Sequence, residues 1–227
     1  MMVKNSSSWP NSLSLAAVAA IGLLAACGER SSPPTGLGAA TGTGAAPSST
    51  AQCFHVVGHP SSSDAGLFAA VGAGDVSRVE QSIAAGGNVN AADALGRTPL
   101  FAAAFCNRAD VASLLIDKGG DFGARDFSGM SPLHAAIVAG ADEAAKALIV
   151  KGANINIQNT NGQTPLHLAA ATEQLPLVKL LLERGANAQL RDKNGITAAS
   201  LASDNGNPLS VAAIRKWMGE HKASLPK

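Results

Sequence analysis

A short phrase recurs every 33 residues in this chain: Thr98-Pro99-Leu100, Ser131-Pro132-Leu133-His134 and Thr164-Pro165-Leu166-His167. Thr197 continues the register, with Ala198 and Ala199 in place of Pro and Leu. A glycine stands two residues before each phrase, at Gly96, Gly129, Gly162 and Gly195. A period in this range implies stacked supersecondary units rather than one globular core. A single unit cannot bury its own apolar faces, so stability resides in the stack. Such a fold assigns function only as a class, because stacks of this kind usually bind other proteins.

Each part of the phrase has a physical role. Thr or Ser at a helix N-cap accepts backbone N–H groups, and Pro fits the first helical position, where its missing donor does no harm. Small residues such as Ala135-Ala136 and Ala169-Ala170 let neighbouring helices approach closely. Leu180, Leu181 and Leu182 put apolar surface on a second helix, each worth roughly 1.5–3 kcal/mol if fully buried. Gly119, Gly152 and Gly185 then end that helix in a left-handed cap. Asn107 and Glu173 stand where Gly74 and Gly140 make the inter-helix turn. Asn tolerates the left-handed conformation, whereas Glu173 departs from the pattern.

The unit resembles the ankyrin repeat, whose elements are a glycine turn, a T-P-L-H helix start, two antiparallel helices and a projecting β-hairpin. The match is fullest at Gly162-Gln163-Thr164-Pro165-Leu166-His167-Leu168-Ala169-Ala170, followed by Val178, Leu180-Leu181-Leu182 and Gly185-Ala186-Asn187. The resemblance implies an all-α repeat solenoid of about five repeats over 65–222, the outer two acting as caps. Leu67-Phe68-Ala69-Ala70 opens a degenerate first repeat, whose second helix carries Gln81 and Ser82 in place of leucines. Arg215 and Lys216 make the outer face of the last repeat polar.

The N-terminus carries a second signal. Leu13 to Ala26 is an uncharged, alanine-rich apolar run after Lys4, short for a membrane span and long enough for a signal-peptide core. It ends in Leu24-Ala25-Ala26-Cys27, which resembles the bacterial lipobox. That resemblance implies a lipoprotein signal over 1–26 and a lipid on Cys27, the first residue of the mature chain. An ordinary cleaved signal and an uncleaved anchor are the alternatives. Gly28 follows the cysteine, where Asp would favour retention at the inner membrane. The expected place is therefore a bacterial envelope, facing the periplasm, with the outer membrane favoured. Residues 27–51 are rich in Ser, Pro, Thr, Gly and Ala and read as a disordered tether, spanning on the order of 25–30 Å. Residues 52–64 form a pre-repeat segment.

Charge and cysteines narrow the reading further. The net charge is +1 and no Lys/Arg run occurs, so no nucleic-acid partner is expected. With Cys27 assigned to the lipid, Cys53 and Cys106 remain as an even pair in an oxidising compartment. A disulfide between them is expected; two unpaired thiols are the alternative.

Chemistry is harder to place. His134 and His167 occupy the T-P-L-H histidine, a structural position in the family, and Phe101 stands there in repeat two. His55 and His59 near Cys53 lack the second ligand cluster a metal site needs. Ser131 and Ser61-Ser62-Ser63 have no nucleophile context, and Gly72 to Gly74 follows no phosphate-binding pattern. The expectation is a non-enzymatic monomer without cofactor or metal.

In the family, partners meet the hairpin tips and the concave face of the first helices. By that resemblance a protein partner would contact Leu95, Phe105, Arg125, Phe127, Val138, Leu168, Arg191 and Lys193. Large apolar side chains exposed together mark such a surface. The expected function is a lipid-anchored protein-binding module. It would serve as an immunity or inhibitor protein masking an envelope toxin or hydrolase. The alternative is an accessory protein supporting a periplasmic enzyme such as catalase in oxidative-stress defence.

Overall fold

Hydroxyl caps start all five inner helices of the array, beginning with Ser61, which accepts the Asp64 N–H at 3.2 Å. Thr98, Ser131, Thr164 and Thr197 each accept the N–H three residues ahead, at 3.2–3.4 Å. Pro99, Pro132 and Pro165 follow at the first turn, and Thr197 caps without one. The computed structural model describes residues 53–58 and 61–221. The Leu13 to Ala26 run, Cys27, the tether and His59 lie outside those residues.

Ten α-helices occur among the described residues, in five antiparallel pairs: α1 Ser62–Ala73 with α2 Val76–Ala84, α3 Pro99–Phe105 with α4 Ala109–Asp117, α5 Pro132–Val138 with α6 Asp142–Val150, α7 Pro165–Ala171 with α8 Leu175–Glu183, and α9 Ala198–Asp204 with α10 Pro208–Glu220. The inter-helix turn is left-handed in every pair, at Gly74, Asn107, Gly140, Glu173 and Gly206. Glu173 adopts φ 59° all the same. The register of the stack dictates that turn, and the side chain bears a steric cost of about 1–2 kcal/mol.

The two layers of helices bury different residues. Ala102 to Ala104, Ala135-Ala136 and Ala169-Ala170 are buried on the inner helices, where alanine sets a close spacing between repeats. The outer layer buries Leu115, Leu148, Leu181 and Ile214, all fully covered and all in the 33-residue register. The ends are thinner: in α2 only Val79 is buried. Arg215 and Lys216 are exposed on α10.

The projecting loops form tight turns rather than β-hairpins. Among the described residues the single bridge between loop and helix start joins Arg191 and Thr197.

Candidate functional site

Each projecting loop is built around one acidic or amide side chain. Asp93 Oδ1 accepts from the N–H groups of Leu95 and Arg97 at 2.9 and 3.0 Å. Asp126 does the same for Ser128 and Met130 at 2.9 and 2.8 Å. Asn159 serves Asn161 and Gln163, and Asp192 serves Asn194 and Ile196, all at 2.9 Å. A short side-chain oxygen that closes its own turn in this way fixes the loop without a strand ladder. Burial raises the Asp93 carboxyl, but the hydrogen bonds from Arg97 and from three backbone amides outweigh it and leave it below the usual carboxylate range. Burial dominates at Asp126 and holds its carboxyl above that range.

The loops bond to one another in a row. Phe127 donates its N–H to the Leu95 carbonyl at 3.0 Å, Thr160 to Ser128 at 3.2 Å, and Lys193 to Asn161 at 2.9 Å. This contact explains the glycines. A Cβ on Gly129 would stand 2.7 Å from the Thr160 nitrogen, and one on Gly162 would stand 2.9 Å from that of Lys193. Both also have positive φ, at 70° and 75°, so a side chain there is excluded twice.

The histidines tie the helix starts to this row. His134 Nδ1 lies 3.2 Å from the Ser131 backbone N–H, which donates to it, so the ring proton sits on Nε2. That Nε2–H donates to the Gln163 carbonyl of the next loop at 3.1 Å. His167 repeats the pattern with Thr164 and the Ile196 carbonyl, at 3.2 and 3.1 Å. Burial drives the His134 pKa down to about 4, and it lowers that of His167 too. Both rings are neutral structural links.

The row presents an exposed surface. Phe127 is 76% exposed and Leu95 38%, on adjacent loops. Arg125 donates to the Gln158 carbonyl at 2.9 Å, and Arg191 to that of Gly195 at 2.6 Å. With Lys193, Gln158 and Asn156 they line an open depression of about 600 Å³. One carboxylate, Asp192, borders it against three cations.

The structure does not bring all eight expected contact residues together. Leu95, Arg125, Phe127, Arg191 and Lys193 share the loop row. Leu168 does not belong to that surface: it is 2% exposed, because the alanine-lined inner helices pack too closely to leave it in the open. Val138 is half-buried at the end of α5. Phe105 is half-buried as well, its ring packed edge-on against Phe54 with centroids 6.3 Å apart. The free surface is therefore the loop tips and not the inner helix face.

Cys53 and Cys106 meet in disulfide-bonding contact, with Cα atoms 5.6 Å apart. Sequence reasoning missed Asp93, Asp126, Asn159 and Asp192, although their own 33-residue spacing, three before each glycine, was there to be read. Among the described residues no three His, Cys, Asp or Glu side chains gather as a metal ion would require.

No curated protein matches the chain. A family model described as ankyrin repeats (3 copies) matches residues 67–159 and 140–216, which together span most of the five helix pairs. With its helix pairs, capped T-P-L-H starts and bonded row of loops, the chain belongs to the ankyrin-repeat family, whose repeats form protein–protein interaction modules.

Proposed function

We propose that this chain is a lipid-anchored, periplasm-facing protein-binding module whose loop row masks an envelope toxin or hydrolase. The observation that carries the docking surface is Phe127, a phenyl ring 76% exposed beside Leu95 and next to a basic, amide-lined depression. An aromatic anchor with a polar, charged rim is the usual anatomy of a binding hot spot. The excess of Arg125, Arg191 and Lys193 over Asp192 favours an acidic partner, and tunes association rate more than final affinity. The anchoring reading rests on Leu24-Ala25-Ala26-Cys27 after the apolar run.

Capture of partners from detergent-solubilised envelope tests the surface. Phe127→Ala should weaken capture by about 2 kcal/mol, roughly 30-fold. Its unfolding midpoint should move little, because surface truncations change stability by less than about 0.5 kcal/mol. Leu181→Ala serves as the folding control, since its side chain is fully buried. Normal capture by Phe127→Ala would remove the surface from consideration. A captured toxin or hydrolase supports masking, whereas a catalase would point to the accessory role.

The anchor has its own check. Cys27→Ser should abolish palmitate labelling and leave an unprocessed or soluble form. Undiminished labelling and membrane partitioning in that variant would sink it.

A further inference from the structure

The segment 53–58 lies against repeats one and two and completes the loop row. Ala94 donates its N–H to the Val57 carbonyl at 2.9 Å. Phe127, Thr160 and Lys193, each 33 residues further on, donate in the same way to the loop before them. Val57 thus stands in for a preceding loop. Its own N–H donates to Asp93 Oδ2 at 3.3 Å, and the Arg97 guanidinium donates to the His55 carbonyl at 2.7 Å. Gly58 permits the approach, since a Cβ there would stand 2.7 Å from Ala94 Cβ.

One side chain anchors the segment. Phe54 is 8% exposed. Its ring stacks on Phe68 at 6.3 Å, meets Phe101 at 6.5 Å and Phe105 at 6.3 Å, and lies 4.3 Å beneath the Arg97 guanidinium. Cys53, exposed, ties the start of the segment to half-buried Cys106 at the end of α3.

We propose that 53–58 is a strap seated in a second docking pocket, that the Cys53–Cys106 disulfide locks it there, and that reduction opens the pocket to an extended peptide with an aromatic residue. This inference extends the protein-binding reading above and rests on it. The strap itself supplies the occupant's chemistry. A ligand must place an aromatic ring among Phe68, Phe101 and Phe105 under Arg97, and offer a carbonyl to Ala94. The locked strap orders six residues of backbone around one buried ring. The ordering cost exceeds what one buried ring returns, so the seat of the strap depends on the covalent tie.

The redox step needs a dithiol. One thiolate attacks the exposed Cys53 sulfur, and Cys106 leaves as a thiolate and takes up a proton. The second thiol then resolves the mixed disulfide and frees Cys53. The protein gains two electrons and two protons, and the dithiol becomes a disulfide.

Two experiments on the full chain decide the matter. The first is amide hydrogen exchange of the Cys27→Ser protein, oxidised and with excess dithiol. Reduction should raise exchange at Val57 and Ala94 at least tenfold while the amides of repeats three to five stay unchanged. Retained protection at both positions would overturn the lock. This arm needs no partner, so it can fail or succeed independently of Phe127-dependent capture.

The second uses a synthetic peptide of residues 52–58 carrying Cys53→Ser. The oxidised protein should not bind it; the opened protein, Cys53→Ser with Phe54→Ala, should. Replacing the peptide's own Phe54 by Ala should weaken binding at least tenfold. Equal binding to the oxidised protein overturns the proposal. So does failure to bind an opened protein whose circular dichroism matches the wild type. If that variant does not fold, the dithiol-reduced Cys27→Ser chain takes its place in the peptide assay under the same criteria.

Discussion

Lowering the pH from 7 to 4 should cost this chain about 3 kcal/mol of stability through His134 alone. The ring is fully buried and neutral in the fold, with its pKa pushed down to about 4, against an ordinary value of 6.5. Between those two values the unfolded chain binds a proton that the folded chain refuses, so stability falls as pH falls. His167 is shifted the same way by burial and adds to the loss. Asp93 is lowered as well and so loses stability in acid with the same sign, but its contribution is fully present above pH 3.8 and is lost only as pH falls through its depressed pKa, beneath the histidine window. Asp126 is raised, so its protonation gains stability in acid and offsets part of the effect. The variants His134→Phe and His167→Phe isolate the histidines. Phenylalanine is already tolerated at this register, because Phe101 sits there under a Thr98 cap. Urea unfolding from pH 7 to 4 should show a steep loss in the wild type and a much flatter profile in the double variant. An unchanged slope in the double variant would mean that other groups carry the acid sensitivity.

That experiment turns on a feature the sequence displayed in part. The T-P-L-H register placed both histidines at helix starts, and the caps, left-handed turns and buried leucines follow from local chemistry that repeats with the period. The positions that resisted reading depend on distances between repeats. Leu168 looks available by family position, but only the spacing of the alanine-lined inner helices shows that it is covered. Phe105 looked like an exposed anchor because nothing in the local pattern says that Phe54, 51 residues earlier, folds back onto it. The loop-closing Asp93, Asp126, Asn159 and Asp192 are legible in their 33-residue spacing, but the backbone amides each one accepts from are visible only in the geometry. Phe127 and Leu95 were legible for the opposite reason: a large apolar side chain at a loop tip has no repeat of its own to pack into.

Reduction of the Cys53–Cys106 pair should lower stability by about 4 kcal/mol in the chain-entropy treatment of a bond closing roughly 53 residues of chain. The loop it closes contains all of repeat one and the first helix of repeat two, so the loss belongs to that end of the stack. That end needs support. Helix α2 buries only Val79, against Val111, Ala112 and Leu115 in α4, so the first repeat holds to its neighbour through a thin outer layer. In an array stabilised by nearest-neighbour interfaces, a weak terminal interface frays first. The disulfide fastens the strap and α3 together across the first repeat, so it opposes fraying where apolar burial is smallest. The measurement is urea unfolding of the Cys27→Ser chain with and without a dithiol, with intact mass confirming a two-proton difference between the states. Cys53→Ser should reproduce the reduced curve. Two freely alkylated thiols in protein isolated without reductant would rule the bond out. Equal unfolding midpoints for confirmed oxidised and reduced protein would show that the first repeat holds without it, and the thin interface at α2 would then need another source of stability.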